Sequence, residues 1–121
     1  MRKKIYIQNI EKIQSDMYFT YDEGISLHGL TPKGHMLVDS DEFAFVYILE
    51  NSEEYIYVYF QEHLWPAIKK DLQSEAKFYI KNDCSIELES FREELTYLIE
   101  NIKDNSNYGD SFVQKVESVF E

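Results

Sequence analysis

Residues 43–60, FAFVYILENSEEYIYVYF, decide the fold of this 121-residue chain. Two apolar runs, residues 43–49 and 55–60, flank a polar turn, and this pattern predicts a β-hairpin. The first run has no polar residue, so we expect both faces of its strand to be covered and the strand to be central in a sheet. Because two strands are not stable alone, the rest of the chain must supply further strands or helices that pack on this hairpin.

The second run alternates two kinds of side chain. Successive residues of a strand point to opposite faces, so the run has one apolar face and one face lined by tyrosines. In order, the two sets are Ile56, Val58 and Phe60, and Tyr55, Tyr57 and Tyr59. The apolar set is expected to face the core. Tyrosine is favoured at protein interfaces, so the second set is a candidate binding surface. The alternative is that helices cover it.

A further hairpin is predicted on each side of the central one, at residues 4–21 and at residues 77–88. Residues 22–42 contain closely spaced glycines and a proline, which are typical of turns. We therefore expect a connector there, in which Thr31 and Pro32 open at most one helical turn. Its apolar side chains should point inward, namely Leu27, Leu30, Met36 and Leu37. The resulting sheet has about six strands, mainly antiparallel.

Apolar residues at helical spacing predict three helices, near residues 63–75, 90–103 and 110–120. Ser90 stands three residues before Glu93, which is the spacing of a capping box at the start of the second helix. The helices mostly follow the strands. This order indicates an α+β fold, with residues 1–121 as a single domain.

The formal net charge is −11, from 23 acidic and 12 basic residues. Nucleic acids and anionic membranes are bound by clustered Lys and Arg, and the clusters here are only residues 2–4 and 69–70. We therefore expect no nucleic-acid partner and no membrane partner. The acidic surface serves solubility, or it steers the protein toward a basic partner.

The cysteine content and the hydropathy pattern favour the cytoplasm. Cys84 is the only cysteine, so no internal disulfide can form, as is usual in a reducing compartment. Polar residues interrupt the apolar run near the N-terminus where a signal peptide would need an unbroken one. No stretch of the sequence is long and apolar enough to span a bilayer.

Three peptides of the chain are distinctive: GHMLVDSDEFAF (residues 34–45), ELTY (94–97) and NIKDNSNYG (101–109). They resemble the YjbL-like family of small proteins from Gram-positive bacteria of the Bacillus and Staphylococcus kind, and the resemblance runs nearly end to end. That family has no established activity, so the resemblance implies a cytosolic bacterial protein of unknown function. It is densest at residues 39–41 and 105–109, which favours a role in recognition for these turns.

No pattern of catalytic residues stands out. The three histidines lack the spacing of a zinc site, and Asp39–Glu42 lacks the glycine of a calcium loop. Cys84 has no histidine at the spacing of a thiol nucleophile, and the glycines form no phosphate-binding loop. We predict no catalytic residue, no metal and no cofactor.

Two functional hypotheses remain open. The first is a non-enzymatic protein-interaction or regulatory module, with the candidate binding surface Asp39, Asp41, Tyr55, Tyr57, Tyr59, Asn105, Asn107 and Tyr108. The second is a small-molecule-binding protein or minor enzyme, with a pocket formed by His35, Asp39, Asp41 and Trp65. A homodimer, formed through the tyrosine-lined face or a free sheet edge, is a further expectation.

Overall fold

The structure, a computed structural model, describes residues 3–121. This part of the chain contains seven strands and three helices. The strands are β1 (Lys3–Ile13), β2 (Asp16–Tyr21), β3 (Thr31–Asp39), β4 (Ala44–Glu50), β5 (Tyr55–Gln61), β6 (Phe78–Lys81) and β7 (Ser85–Glu87). The helices are α1 (Trp65–Leu72), α2 (Phe91–Ile102) and α3 (Asp110–Phe120). Arg2, part of the N-terminal basic cluster, lies outside the described residues.

The strands form one mixed sheet in the order β3-β4-β5-β1-β2-β6-β7. β1 is parallel to β5 and β2 is parallel to β6, while the other neighbouring pairs are antiparallel. The α+β class and a mainly antiparallel sheet are confirmed, since four of the six pairings among the described strands are antiparallel, but the sheet has seven strands and not about six, and two of its pairings are parallel. The N-terminal hairpin β1–β2 lies between β3–β5 on one side and β6–β7 on the other. The parallel pairings were not predicted because side-chain alternation does not indicate the direction of a neighbouring strand.

The expected connector at residues 22–42 is wrong in its second half. Residues 31–39 form the edge strand β3, which pairs with β4, so no helical turn opens at Pro32. An edge strand tolerates proline, and the register of β3 is irregular between Pro32 and Met36. Leu27, Leu30 and Met36 are buried as expected, whereas Leu37 is 41% exposed. With β3 outside it, β4 is central, as its apolar sequence predicted.

The core lies between one face of the sheet and the three helices. Ile56, Val58 and Phe60 all point into it, which confirms the alternation predicted for β5. Trp65, at the start of α1, is completely buried, and its ring centroid lies 5.2 Å from that of Phe45.

The start of α2 differs from the sequence-based prediction. Ser90 occupies the position before the helix, but its φ is +64° and its side chain forms no capping hydrogen bond with the described residues. A capping serine needs an extended backbone to direct its hydroxyl at the free N–H groups. The predicted capping box is therefore wrong. The first helix is also shorter than predicted, because residues Glu62–Leu64 form a 3-10 turn before α1.

The sheet curls so that its edge strands, β3 and β7, contact each other. Helix α2 packs along β3, where Glu94 Oε1 accepts a hydrogen bond of 3.1 Å from the backbone N–H of Met36. This bond satisfies an edge N–H that would otherwise be open to another strand.

Candidate functional site

The face of the sheet opposite the helices, here called the outer face, carries six of the ten tyrosines. They are Tyr6, Tyr18, Tyr55, Tyr57, Tyr59 and Tyr79. Each alternates along its strand with residues that are buried in the core. A small apolar cluster on this face consists of strand residues alone, with Ala44 and Val46 at its centre. The described helices pack on the other side of the sheet.

A depression of about 350 Å³ indents the outer face where the β3–β4 turn meets β5. We call it the acidic depression, and it is lined by Leu37, Val38, Asp39, Ser40, Asp41, Val46, Tyr57 and Tyr59. Strand register explains this grouping, because Leu37 is paired with Val46 and Val46 with Tyr59 across three adjacent strands. Four of the predicted binding residues, two aspartates and two tyrosines, are thus brought together.

The two aspartates of the acidic depression differ in their surroundings. Asp39 Oδ2 accepts a hydrogen bond of 3.2 Å from the hydroxyl of Tyr59, and its Oδ1 accepts one of 3.2 Å from the N–H of Glu42. Asp41 is exposed, and its carboxylate has no hydrogen-bond or ion-pair partner among residues 3–121. The depression therefore combines one carboxylate of fixed orientation with one that is open to solvent.

Tyr6 adjoins the acidic depression, although it was not among the predicted binding residues. Its ring stacks on that of Tyr59 with 4.8 Å between centroids, and its hydroxyl donates a hydrogen bond of 3.3 Å to Glu42 Oε2. Burial, followed by the negative charge of Glu42, raises the pKa of Tyr6 above its ordinary value. The signal was present in the sequence, because Lys4 and Tyr6 alternate with two buried isoleucines of β1.

Lysine ammonium groups already lie over two of the tyrosine rings. The Nζ atom of Lys4 is 5.2 Å from the ring centroid of Tyr59. At the other end of β5, Tyr55 is 47% exposed, and the Nζ atom of Lys33 is 5.4 Å from its ring centroid. These distances are within the range of cation–π attraction.

The predicted recognition loop at residues 105–109 lies away from the acidic depression. Asn105 Oδ1 accepts a hydrogen bond of 3.1 Å from the N–H of Asn107, which closes the 3-10 turn between α2 and α3. The ring of Tyr108 packs toward Phe112 in the helix layer, with 6.5 Å between centroids. Asn105, Asn107 and Tyr108 therefore lie in the connection between α2 and α3, apart from the acidic depression, and their role in binding stays a prediction.

The alternative pocket is not assembled. Trp65 is completely buried on the core side of the sheet, where its Nε1 donates a hydrogen bond of 3.0 Å to the carbonyl of Phe60. His35 is exposed, with its Nδ1 atom 3.8 Å from Glu94 Oε1 of α2. Asp39 and Asp41 thus share a site with Tyr57 and Tyr59, and Trp65 lies on the other face.

Among residues 3–121, no group of three or more His, Cys, Asp or Glu side chains is arranged to hold a metal ion. Within the same range, no helix has the length and apolar character needed to cross a membrane.

Comparison with known proteins identifies the family. Residues 5–120 match UPF0738, a family of unknown function. The chain is 47% identical over 119 residues to a UPF0738 protein of Anoxybacillus flavithermus, an alignment that covers 98% of this chain and 87% of that protein. It is 38% identical over 122 residues to a UPF0738 protein of Bacillus cereus, covering 99% of each chain. No solved structure matches.

The resemblance predicted a small uncharacterised family of Gram-positive bacteria, and this is confirmed, although the name given by the comparisons is UPF0738 and not YjbL-like. A third relative, from Geobacillus thermodenitrificans, is 40% identical over 122 residues, which cover 99% of this chain and 98% of that protein. The chain therefore belongs to the UPF0738 family.

Proposed function

We propose that this chain is a non-enzymatic interaction module of the bacterial cytoplasm, which binds a protein partner through the outer face of its sheet. The observation that supports the proposal is the separation of the two faces. The three helices pack on one face, and the other carries the exposed Tyr55 and Leu37 and the partly exposed Tyr6 and Tyr57, with charged groups at its edge. An apolar and aromatic centre with a polar rim is the usual composition of a protein interface.

The acidic depression is the proposed centre of this interface. Tyr57 is half-buried and lies beside Ile48, while Val46 and Tyr59 are nearly covered by their neighbours. Aromatic side chains that rest in a concave, preformed surface provide contact area at a low entropic cost. Tyr57 is therefore the residue whose truncation should weaken partner binding most.

Affinity capture from a Bacillaceae extract tests the proposal, with the wild-type protein and two variants as baits. Tyr57→Ser alters the outer face, and Tyr97→Ser is the matched control because Tyr97 is 65% exposed on α2 in the helix layer. Thermal melts must first establish that both variants are folded. The proposal predicts a protein that is retained by wild type and Tyr97→Ser and is depleted about tenfold or more by Tyr57→Ser.

Retention of the same proteins by all three baits would contradict the proposal, as would the recovery of no protein above background at moderate salt. Self-association through the outer face is distinguished by light scattering. A monomer has a mass of 14.5 kDa, so a homodimer would have twice that mass. If the dimer forms through the outer face, Tyr57→Ser should have the mass of a monomer.

A further inference from the structure

Building on the proposed function, we infer that the acidic depression receives an arginine or lysine side chain from a basic segment of the protein partner. Three features of the depression support this: its negative charge, the contacts of nearby tyrosine rings with ammonium groups, and its size and lining.

The charge of the depression is not balanced within the described chain. Asp39, Asp41 and Glu42 lie together at the β3–β4 turn, and none of them is within ion-pair distance of a Lys, Arg or His among residues 3–121. Lys3 pairs with Glu54 at 3.2 Å and Lys33 with Glu50 at 3.8 Å, while Lys4 lies over the ring of Tyr59 without an ion pair to a described carboxylate. Carboxylates that have no ion-pair partner among residues 3–121 create a negative potential that favours the entry of a cation.

The tyrosines of β5 already interact with cations. Lys33 and Lys4 place their ammonium groups over the rings of Tyr55 and Tyr59, at 5.4 and 5.2 Å from the centroids. Tyr57 lies between these two tyrosines on the same face and lines the depression. The face therefore presents aromatic rings in positions that ammonium groups can reach, as a partner's cation would require.

The lining and size of the depression fit one long basic side chain. Leu37, which is 41% exposed, supplies apolar surface for the methylene groups, while Asp39 and Asp41 lie where the charged head can remain partly hydrated. The volume of about 350 Å³ is at the lower end of the range for ligand sites. Asp39 is held in place by Tyr59 and Glu42, so little ordering is required on binding.

A guanidinium group makes the most complete use of these features. It can donate two parallel hydrogen bonds to one carboxylate while its flat surface lies against an aromatic ring, which an ammonium group cannot do. We therefore expect arginine to bind more tightly than lysine. Both should exceed any neutral side chain of similar shape.

A titration followed by amide NMR tests the inference with defined probes. The probes are the N-acetylated methylamides of arginine, of lysine and of citrulline, the last being neutral and close to arginine in shape. Arginine should shift the amide signals of Leu37, Asp41, Val46 and Tyr59 in a saturable way, with a dissociation constant of about 1 mM. Citrulline should bind about tenfold more weakly, because it lacks the charge.

A pair of double variants locates the effect. Asp39→Asn/Asp41→Asn should weaken arginine binding about tenfold or more. The control Asp104→Asn/Asp110→Asn makes the same change in net charge in the helix layer and should leave the affinity unchanged. Equal binding of arginine and citrulline, shifts outside the depression, or equal affinity of the two double variants would each overturn the inference.

The same variants separate this inference from the proposed function. If the captured partner is lost with Tyr57→Ser but is retained by Asp39→Asn/Asp41→Asn, the interaction surface stands and the inference about a basic side chain is wrong. If Tyr57→Ser retains the partner, the proposed function itself fails. Loss of the partner with both variants, but not with the control, supports both proposals.

Discussion

The ring of Tyr6 stacks on the ring of Tyr59, with centroids 4.8 Å apart and planes inclined by 30°. This contact joins β1 to β5 across one of the two parallel pairings of the sheet. It therefore fixes the N-terminal strand beside the acidic depression and makes Tyr6 part of the same surface.

We expect the contact between Tyr6 and Tyr59 to give a measurable coupling free energy between the two rings. In a double-mutant cycle with Tyr6→Leu and Tyr59→Leu, we expect an interaction free energy of about 0.5–1.5 kcal/mol in the unfolding of the protein. Denaturant unfolding of the four proteins provides the values. A cycle with Tyr6→Leu and Tyr55→Leu is the control, because Tyr55 lies at the other end of β5, and it should be additive. A coupling of zero in the first cycle would show that the stack does not stabilise the sheet.

Trp65 is the residue whose truncation should cost the most stability. It is completely buried, contacts the rings of Phe45 and Phe112, and donates to the carbonyl of Phe60. Trp65→Ala leaves a large cavity and should destabilise the fold by about 3–5 kcal/mol. The exposed Tyr97→Ala should change the stability by less than about 0.5 kcal/mol. Similar losses in both variants, measured by thermal or urea unfolding, would contradict the core packing described above.

Arg92 closes the loop that follows α1. Its guanidinium donates hydrogen bonds to the carbonyls of Asp71, Leu72 and Ala76, at 3.0, 2.9 and 2.7 Å. Arg92→Met keeps most of the apolar stem but removes these donors; the carbonyl of Asp71 keeps its hydrogen bonds from Ser74, whereas those of Leu72 and Ala76 lose the guanidinium. We therefore expect a loss of about 2–4 kcal/mol on urea unfolding. Arg92→Lys restores one donor at most and should recover only part of that loss. Full recovery of the wild-type stability in Arg92→Lys would contradict this, because it would mean that a positive charge at position 92 is sufficient.

The buried hydroxyl of Tyr47 should make the folded protein less stable in alkaline solution. This hydroxyl donates a hydrogen bond of 2.6 Å to the carbonyl of Glu89, and burial raises its pKa well above the ordinary value near 10. Above pH 10 the unfolded chain releases this proton while the folded protein retains it, so unfolding becomes more favourable as the pH rises. Its contribution is fully present below pH 10 and is lost progressively above it.

The alkaline effect is measured as the free energy of unfolding between pH 9 and pH 11.5, a window chosen around the ordinary tyrosine pKa of about 10. The slope should be smaller in Tyr47→Phe than in wild type, because the variant has no proton to release at this position. The exposed Tyr97→Phe should keep the wild-type slope. An unchanged slope in Tyr47→Phe would show that this hydroxyl does not control the alkaline transition.

Side-chain alternation was sufficient to predict the two faces of β5, because a strand with one apolar set of residues can bury only that set. It could not reveal β3, since Pro32 and Gly34 resemble turn residues and only the edge position of the strand makes them tolerable. The parallel pairings of β1 and β2 depend on how distant segments pack, which local patterns do not specify. Ser90 was predicted to form a cap from its spacing, but the sharp turn after β7 holds it in a left-handed conformation.

The candidate site was predictable in part for the same reason. Tyr57 and Tyr59 share a face by alternation, and Asp39 and Asp41 join them because β3 pairs with β4 in a register that no short pattern indicates. Residues 105–109 resemble a recognition loop, and within them the Asn105 side chain accepts from the N–H of Asn107 in the helix connection, so their role in recognition stays a prediction. Tyr6 was missed because its relation to Tyr59 exists only through the parallel pairing of β1 with β5.

The most direct test of the outer face as an interaction surface is site-specific photo-crosslinking in living cells. A photoreactive phenylalanine derivative replaces Tyr57 in one strain and the exposed Tyr97 of the helix layer in another. We expect a discrete cross-linked protein from position 57 that is absent from position 97. Cross-linking from position 97 alone, or from neither position, would contradict it.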